Sequence, residues 1–260
     1  MQGRVLIIAG SDSSGGAGIQ ADIKTCTALG AYAATAITAV TVQDTNRVYD
    51  VHSIPPQLVR RQIDVVLSDL GADCIKIGMI GSVAIGQVIR DALVEHNRIP
   101  VVLDPVLVAT SGDALGHDDV AQWIREELLP LATVLTPNIP ELSALSGHSI
   151  SSSDEAKRAA AHLLTLGAQA VLAKGGHLLQ GADLTDHLIT ASHTASFTHP
   201  RITTTNTHGT GCTLASAVAA GITQGMTLED ACRRGVDYVH QAIKRAPGLG
   251  QGHGPLGHDV

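Results

Sequence analysis

Short apolar runs alternate along the chain with longer segments in which apolar residues recur every three or four positions. VLIIAG (5–10) is unbroken by polar residues and ends in the Gly/Ser-rich stretch SDSSGGAG (11–18). Such a run predicts a strand buried on both faces. IQADIKTCTAL (19–29) has helical spacing and stops at Gly30, a common helix terminator. TAITAVTVQ (35–43) is β-branched and predicts a strand. PPQLVRRQIDVVLSDL (55–70) opens on proline and predicts a helix. The cycle repeats: strand 74–79, helix 82–96, strand 101–106, helix 117–129, strand 133–137 and a short helix over 138–146. A serine-capped helix over 152–167 precedes a strand at 170–176. LTDHLIT and FTHPRI, within 184–202, predict a hairpin or paired edge strands, and helices over 210–223 and 227–245 follow. The tail APGLGQGHGPLGHDV reads as loop, and DTNRVYD (44–50) is a candidate flap by its location.

This alternation predicts βαβ units, an α/β fold and one domain over residues 1–260. In such sheets ligands bind beyond the carboxyl ends of the strands. That rule gathers the 11–18 loop, Gln43, Lys76 with Met79, Asp104, Thr136 to Asn138, and Lys174 with Gly175 and Gly176 at one edge.

Composition narrows the partners. Hydrophobic residues make up 44% and aromatic residues 2%, so the core must be aliphatic. The formal charge of −7 and scattered basic residues give no stripe for a phosphate backbone, and nucleic acid is not expected. No apolar run approaches a membrane span and the opening residues lack a signal-peptide pattern, so a cytoplasmic protein is expected. Cys26, Cys74, Cys212 and Cys232 show no CxxC or zinc-finger spacing. Cys26, Cys74 and Cys232 read as core thiols.

The chemistry concentrates in NTHGTGCTL (206–214). Glycines allow a tight turn, and the free N–H groups of the helix that follows favour an anion. Gly209, Thr210, Gly211 and Cys212 therefore suggest an anion hole for a transferring phosphoryl group; an ordinary turn before a tightly packed helix gives the same pattern. A thiol in a first helical turn is expected to have a lowered pKa. Asp104 and Glu141 are candidate Mg²⁺ ligands, directly or through water, although an acid at a helix start also serves as a cap. Lys174 is placed to reach a phosphate, or to sit solvated at the surface. No Walker loop or GxGxxG is present.

AGSDSSGGAGIQADIKT, TAVTVQ, KIGMIG, VLDPVLVATSGD, LTPNIPEL, VLAKGGH and NTHGTGCTL, in this order along nearly the whole chain, resemble the hydroxymethylpyrimidine/phosphomethylpyrimidine kinases of thiamine biosynthesis, within the ribokinase-like superfamily. The resemblance implies a three-layer α/β/α fold with a mostly parallel sheet, ATP and Mg²⁺ as cofactors, and a homodimer. It implies a pyrimidine site at Gly10, Gln43, Met79, Val106 and Cys212. It implies an ATP site at Asn138, Lys174, Thr207, Gly209 and Gly211, and metal contacts at Asp104 and Glu141. Most superfamily members carry aspartate where this chain has Cys212. Thr110 stands where the family often has lysine, and the tail departs from the common ending. A pyridoxal kinase and a non-catalytic pyrimidine-binding protein on the same fold are the alternatives.

Overall fold

The computed structural model describes residues 2–107, 118–178 and 182–260. Thr110 lies outside the described residues.

Strand β1 (Arg4–Asp12) shows why the first apolar run is continuous. Leu6 and Ile8 enter one hydrophobic layer, and Val5, Ile7 and Ala9 enter the other. Side chains alternate across a strand, so a strand covered on both faces must be apolar at every position. Ser11 and Asp12 extend this strand into the stretch expected to be loop.

Helix α1 (Gly18–Ala28) follows, then β2 (Tyr32–Gln43) and β3 (Val48–Ser53). Helix α2 (Pro56–Asp69), β4 (Cys74–Ile77), α3 (Val83–Glu95) and β5 (Val101–Leu103) come next. Helix α4 (Asp118–Trp123) runs on through a π turn and a 3₁₀ turn to Leu131. Then follow β6 (Val134–Leu135), α5 (Ile139–Ser146), α6 (Ser153–Thr165), β7 (Ala170–Ala173), β8 (Asp183–Thr190) and β9 (Thr194–Pro200). Helices α7 (Thr210–Thr223) and α8 (Leu228–Lys244) complete the order.

The nine strands form one sheet in the order β3-β2-β1-β4-β5-β6-β7-β8-β9. Pairings from β2 through β7 are parallel, while β3 and the β8–β9 hairpin are antiparallel. Helices α1, α7 and α8 pack one face, and α2 to α6 pack the other. The expected three layers are present.

The candidate flap at 44–50 is the turn and start of a β2–β3 hairpin; Asp44 closes the turn by accepting from the Asn46 and Arg47 N–H groups. One expectation is corrected. The strands expected at 101–106, 133–137 and 170–176 end earlier, at Leu103, Leu135 and Ala173. Their polar ends leave the ladder and turn toward the cavity described next. The chain runs from β1 to β2 on one side and to β4 on the other, the kind of switch point at which α/β sheets bind ligands.

Candidate active site

A cavity of about 1040 Å³ opens beyond the carboxyl ends of the parallel strands. Gly10, Gln43, Met79, Asp104, Val106, Asn138, Glu141, Lys174, Thr207, Gly209, Thr210, Gly211 and Cys212 all line it. Segments up to two hundred residues apart therefore share one space.

The turn before α7 is set by glycine. Gly209 has φ 84°, in the left-handed region, and a Cβ there would collide with the Gly16 carbonyl oxygen. Both constraints exclude a side chain. The Gly209 carbonyl accepts the first helical bond, from Thr213 N–H at 2.9 Å, and the Thr210 N–H reaches back to Thr207 O at 3.3 Å. The N–H groups of a helix's first turn lack partners within the helix, and the dipole end is positive. A Cβ on Gly211 would lie 3.1 Å from Lys174 Nζ and 3.4 Å from Asp104 Oδ2. The bare glycine thus leaves space for an anion between the helix end and the lysine.

Lys174 Nζ stands 3.0 Å from Asp104 Oδ1 and 3.7 Å from Glu141 Oε2. Burial opposes its charge, but the two carboxylates outweigh burial and raise its pKa. Thr136 Oγ1 donates to the same Asp104 oxygen at 3.1 Å, while buried Asp104 Oδ2 has no hydrogen-bond partner among the described residues. Glu141 does act as a cap. Its Oε2 accepts from Asn138 N–H at 2.8 Å, and Asn138 Oδ1 accepts from Glu141 N–H at 2.9 Å, a reciprocal capping box. Burial pushes the Glu141 carboxyl up to about 7, against the pull of Lys174. Among the described residues no three acidic, histidine or cysteine side chains converge as a metal cluster.

The other wall is apolar and fitted around Met79. A Cβ on Gly10 would lie 3.1 Å from Met79 Sδ, so glycine admits the thioether. Thr38 Oγ1 donates to Met79 O at 2.7 Å and fixes the backbone there. Ser13 Oγ both accepts from Gln43 N–H at 2.9 Å and donates to Gln43 O at 2.8 Å, tying Gln43 to the glycine loop.

Cys212 departs from expectation. Burial pushes its thiol up to about 12; nearby Asp22 and Asp104 add to the rise, and Lys76 and the Gly18 N–H only partly offset it. These influences favour the thiol over the thiolate, at a residue that is half-buried rather than enclosed. The other three cysteines are buried, as expected.

Two buried polar groupings have no counterpart in the sequence reading. Lys76 Nζ lies 2.9 Å from both Asp22 oxygens with both side chains fully buried, and Ser216 Oγ donates to Asp22 at 2.7 Å. This joins β4, α1 and α7 beneath Cys212. Asp12 and His208, both cavity-lining, are joined at 2.8 Å. A buried charge demands a partner, so one fully enclosed lysine at a strand centre is the only signal that could have prompted the search for Asp22. The tail is loop but seated: His258 Nε2 lies 3.0 Å from Thr213 Oγ1, and Tyr238 OH donates to His258 O at 2.8 Å.

A three-layer α/β/α frame whose cavity joins a glycine turn, a helix start and a lysine defines a ribokinase-like protein. The sequence profile described as phosphomethylpyrimidine kinase matches residues 12–257, and the chain belongs to this family. The hydroxymethylpyrimidine/phosphomethylpyrimidine kinase of Bacillus subtilis is 42% identical over 98% of this chain and 94% of that protein. The thiamine biosynthesis bifunctional protein ThiED of Geobacter sulfurreducens is 47% identical over 99% of this chain, which spans 52% of that longer protein. An ADP complex of Bacillus subtilis pyridoxal kinase is similar with a TM-score of 0.92 and 35% identity, covering 99% of this chain and 98% of that one.

Proposed function

We propose that residues 1–260 act as one kinase domain that transfers phosphate from ATP to 4-amino-5-hydroxymethyl-2-methylpyrimidine, and then to the resulting monophosphate. The observation that carries this reading is the single cavity that Cys212, at the start of α7, shares with Lys174 and the Met79 wall.

Phosphoryl transfer is mostly positioning and charge neutralisation. The first-turn N–H groups of α7 and Lys174 stabilise charge on the moving phosphoryl group. Val236, Val239 and Ile243 add an apolar wall suited to a purine face. Gln43 and Met79 bound the acceptor end, where Gln43 holds the aminopyrimidine edge. The orphaned Asp104 Oδ2, with Glu141 nearby, suits Mg²⁺, which binds through one or two carboxylates plus phosphate oxygens. When bound, the metal supplies further neutralisation of phosphate charge.

The second transfer explains the thiol. Its acceptor already carries nearly two negative charges. A carboxylate about 4 Å away would repel each of them by about 4 kcal/mol at an effective dielectric of about 20. A neutral thiol avoids that repulsion.

Exposed Val40 and Val42 share one face of β2, a surface suited to a second copy in a homodimer. No described helix is long and apolar enough to cross a membrane, and a cytoplasmic location is part of the proposal. The likeness to pyridoxal kinase favours pyridoxal as a second acceptor. The test is incubation with ATP, Mg²⁺ and either hydroxymethylpyrimidine or pyridoxal, resolving products over time. Pyrimidine monophosphate followed by diphosphate supports the reading; phosphorylation of pyridoxal alone overturns it. Tight pyrimidine binding with no product would instead mark a non-catalytic binding protein.

A further inference from the structure

We propose that His208 and Asp12 are positioning residues that hold the Gly209–Cys212 turn in its anion-binding shape by locking it to the glycine loop after β1. The role in transfer rests on the kinase reading above.

The two residues are 196 positions apart and nearly fully buried, with Nε2 of His208 2.8 Å from Asp12 Oδ2. Asp12 is the hub of its own loop. Its Oδ1 accepts from Ser14 N–H and Ser14 Oγ, each at 2.8 Å, and its Oδ2 accepts from Gly16 N–H at 3.1 Å and Ala17 N–H at 2.8 Å. Burial pushes this carboxyl up, but hydrogen bonds from His208, Ser14 and Ala17 bring it down to about 2. An ionised carboxylate only accepts, so His208 Nε2 carries the proton and donates.

The contact is also steric. A Cβ on Gly16 would collide with the His208 ring, and one on Gly209 would collide with Gly16 O. On its far side the His208 backbone N–H donates to Gly254 O at 3.1 Å. His208 is thus held from both sides, and the next residue begins the left-handed turn into α7. The glycine loop in turn leads to Gly18, whose N–H faces the Cys212 sulfur. A shift in His208 therefore moves the anion hole relative to the acceptor. Misplacement by about 1 Å costs about a hundredfold in rate.

The experiment compares the full chain with His208→Leu, His208→Gln and Asp12→Asn. Glutamine retains an N–H donor; leucine retains bulk without one. After folding is verified by circular dichroism, kcat, KM and the affinity for ADP with and without aluminium fluoride are measured. Aluminium fluoride mimics the phosphoryl group in flight and needs no turnover. In His208→Leu and Asp12→Asn, kcat falls about a hundredfold with pyrimidine KM nearly unchanged. ADP alone binds as in wild type, but the tightening by fluoride is lost. His208→Gln restores both. Should His208→Leu not fold, Asp12→Asn against His208→Gln decides the same point. A folded His208→Leu or Asp12→Asn variant that keeps kcat and the fluoride effect overturns the proposal, as does a glutamine variant no better than the leucine or asparagine variant. A wild type that makes no pyrimidine phosphate sinks the kinase reading alone, because the fluoride comparison still reports on the turn.

Discussion

Lys174 Nζ is 3.0 Å from one oxygen of Asp104, and the other oxygen of that buried carboxylate has no hydrogen-bond partner among the described residues. The lysine is held at the helix start while half of its counter-ion remains free for a cation. Replacing Lys174 with methionine leaves Asp104 buried and unpaired, which costs about 3–5 kcal/mol of stability. It also removes a charge from the phosphoryl path and lowers kcat about a hundred- to a thousandfold. Adding Asp104→Asn to Lys174→Met restores much of the stability and none of the activity. Thermal melts and steady-state rates on the single and double variants check this. Activity returning together with stability would make the lysine merely structural.

The proposed Mg²⁺ role of Asp104 gives a second prediction. Asp104→Asn raises the Mg²⁺ concentration needed for half-maximal rate by about tenfold, the low end of the effect of a lost ligand or outer-shell partner, and EDTA stops transfer in the wild type. Magnesium titrations at saturating ATP measure it. An unchanged half-saturation point would place the metal elsewhere.

Glu141 gives a pH signature. Its carboxyl, pushed by burial from the usual carboxylate range to about 7, binds a proton more tightly folded than unfolded. Stability from this group is therefore greatest below about 4.5, falls as pH rises toward about 7, and levels off above. Glu141→Gln keeps a capping acceptor and removes the titration. Its stability relative to wild type should rise across that window. Denaturant melts at several pH values test the sign; a difference independent of pH would contradict it.

Gly209 and Gly211 fail differently when changed to alanine. Gly209→Ala meets both a left-handed φ and the Gly16 carbonyl, so stability and activity fall together. Gly211→Ala is helical and finds Lys174 Nζ at 3.1 Å. The methyl occupies anion space, so kcat/KM for ATP falls about a hundredfold with little change in melting temperature. Calorimetry beside ATP kinetics separates the two.

What could be read in advance followed from local pattern. The 5–10 run was legible because a strand covered on both faces is apolar throughout, and α7 was legible because Gly209 precedes a small-residue run. Strand β3 was not, because VYDVHS is an edge strand with little burial and no clean alternation. The candidate site residues emerged together because strand ends share one edge of a parallel sheet. Asp12 with His208 and Asp22 with Lys76 stayed hidden, since pairing across 196 and 54 residues is fixed only by the fold. The direction of the Cys212 pKa shift differed from expectation for a related reason: a helix start lowers a thiol's pKa, but the burial that opposes it is a tertiary property.

The most direct test is the ratio of the two transfer steps in Cys212→Asp. The neutral thiol accommodates an acceptor that is already anionic, so aspartate should leave phosphorylation of the alcohol largely intact. The same change should slow phosphorylation of the monophosphate by at least about a thousandfold, the equivalent of about 4 kcal/mol for repulsion by one of its charges. Equal losses in kcat/KM for the two acceptors would contradict the account.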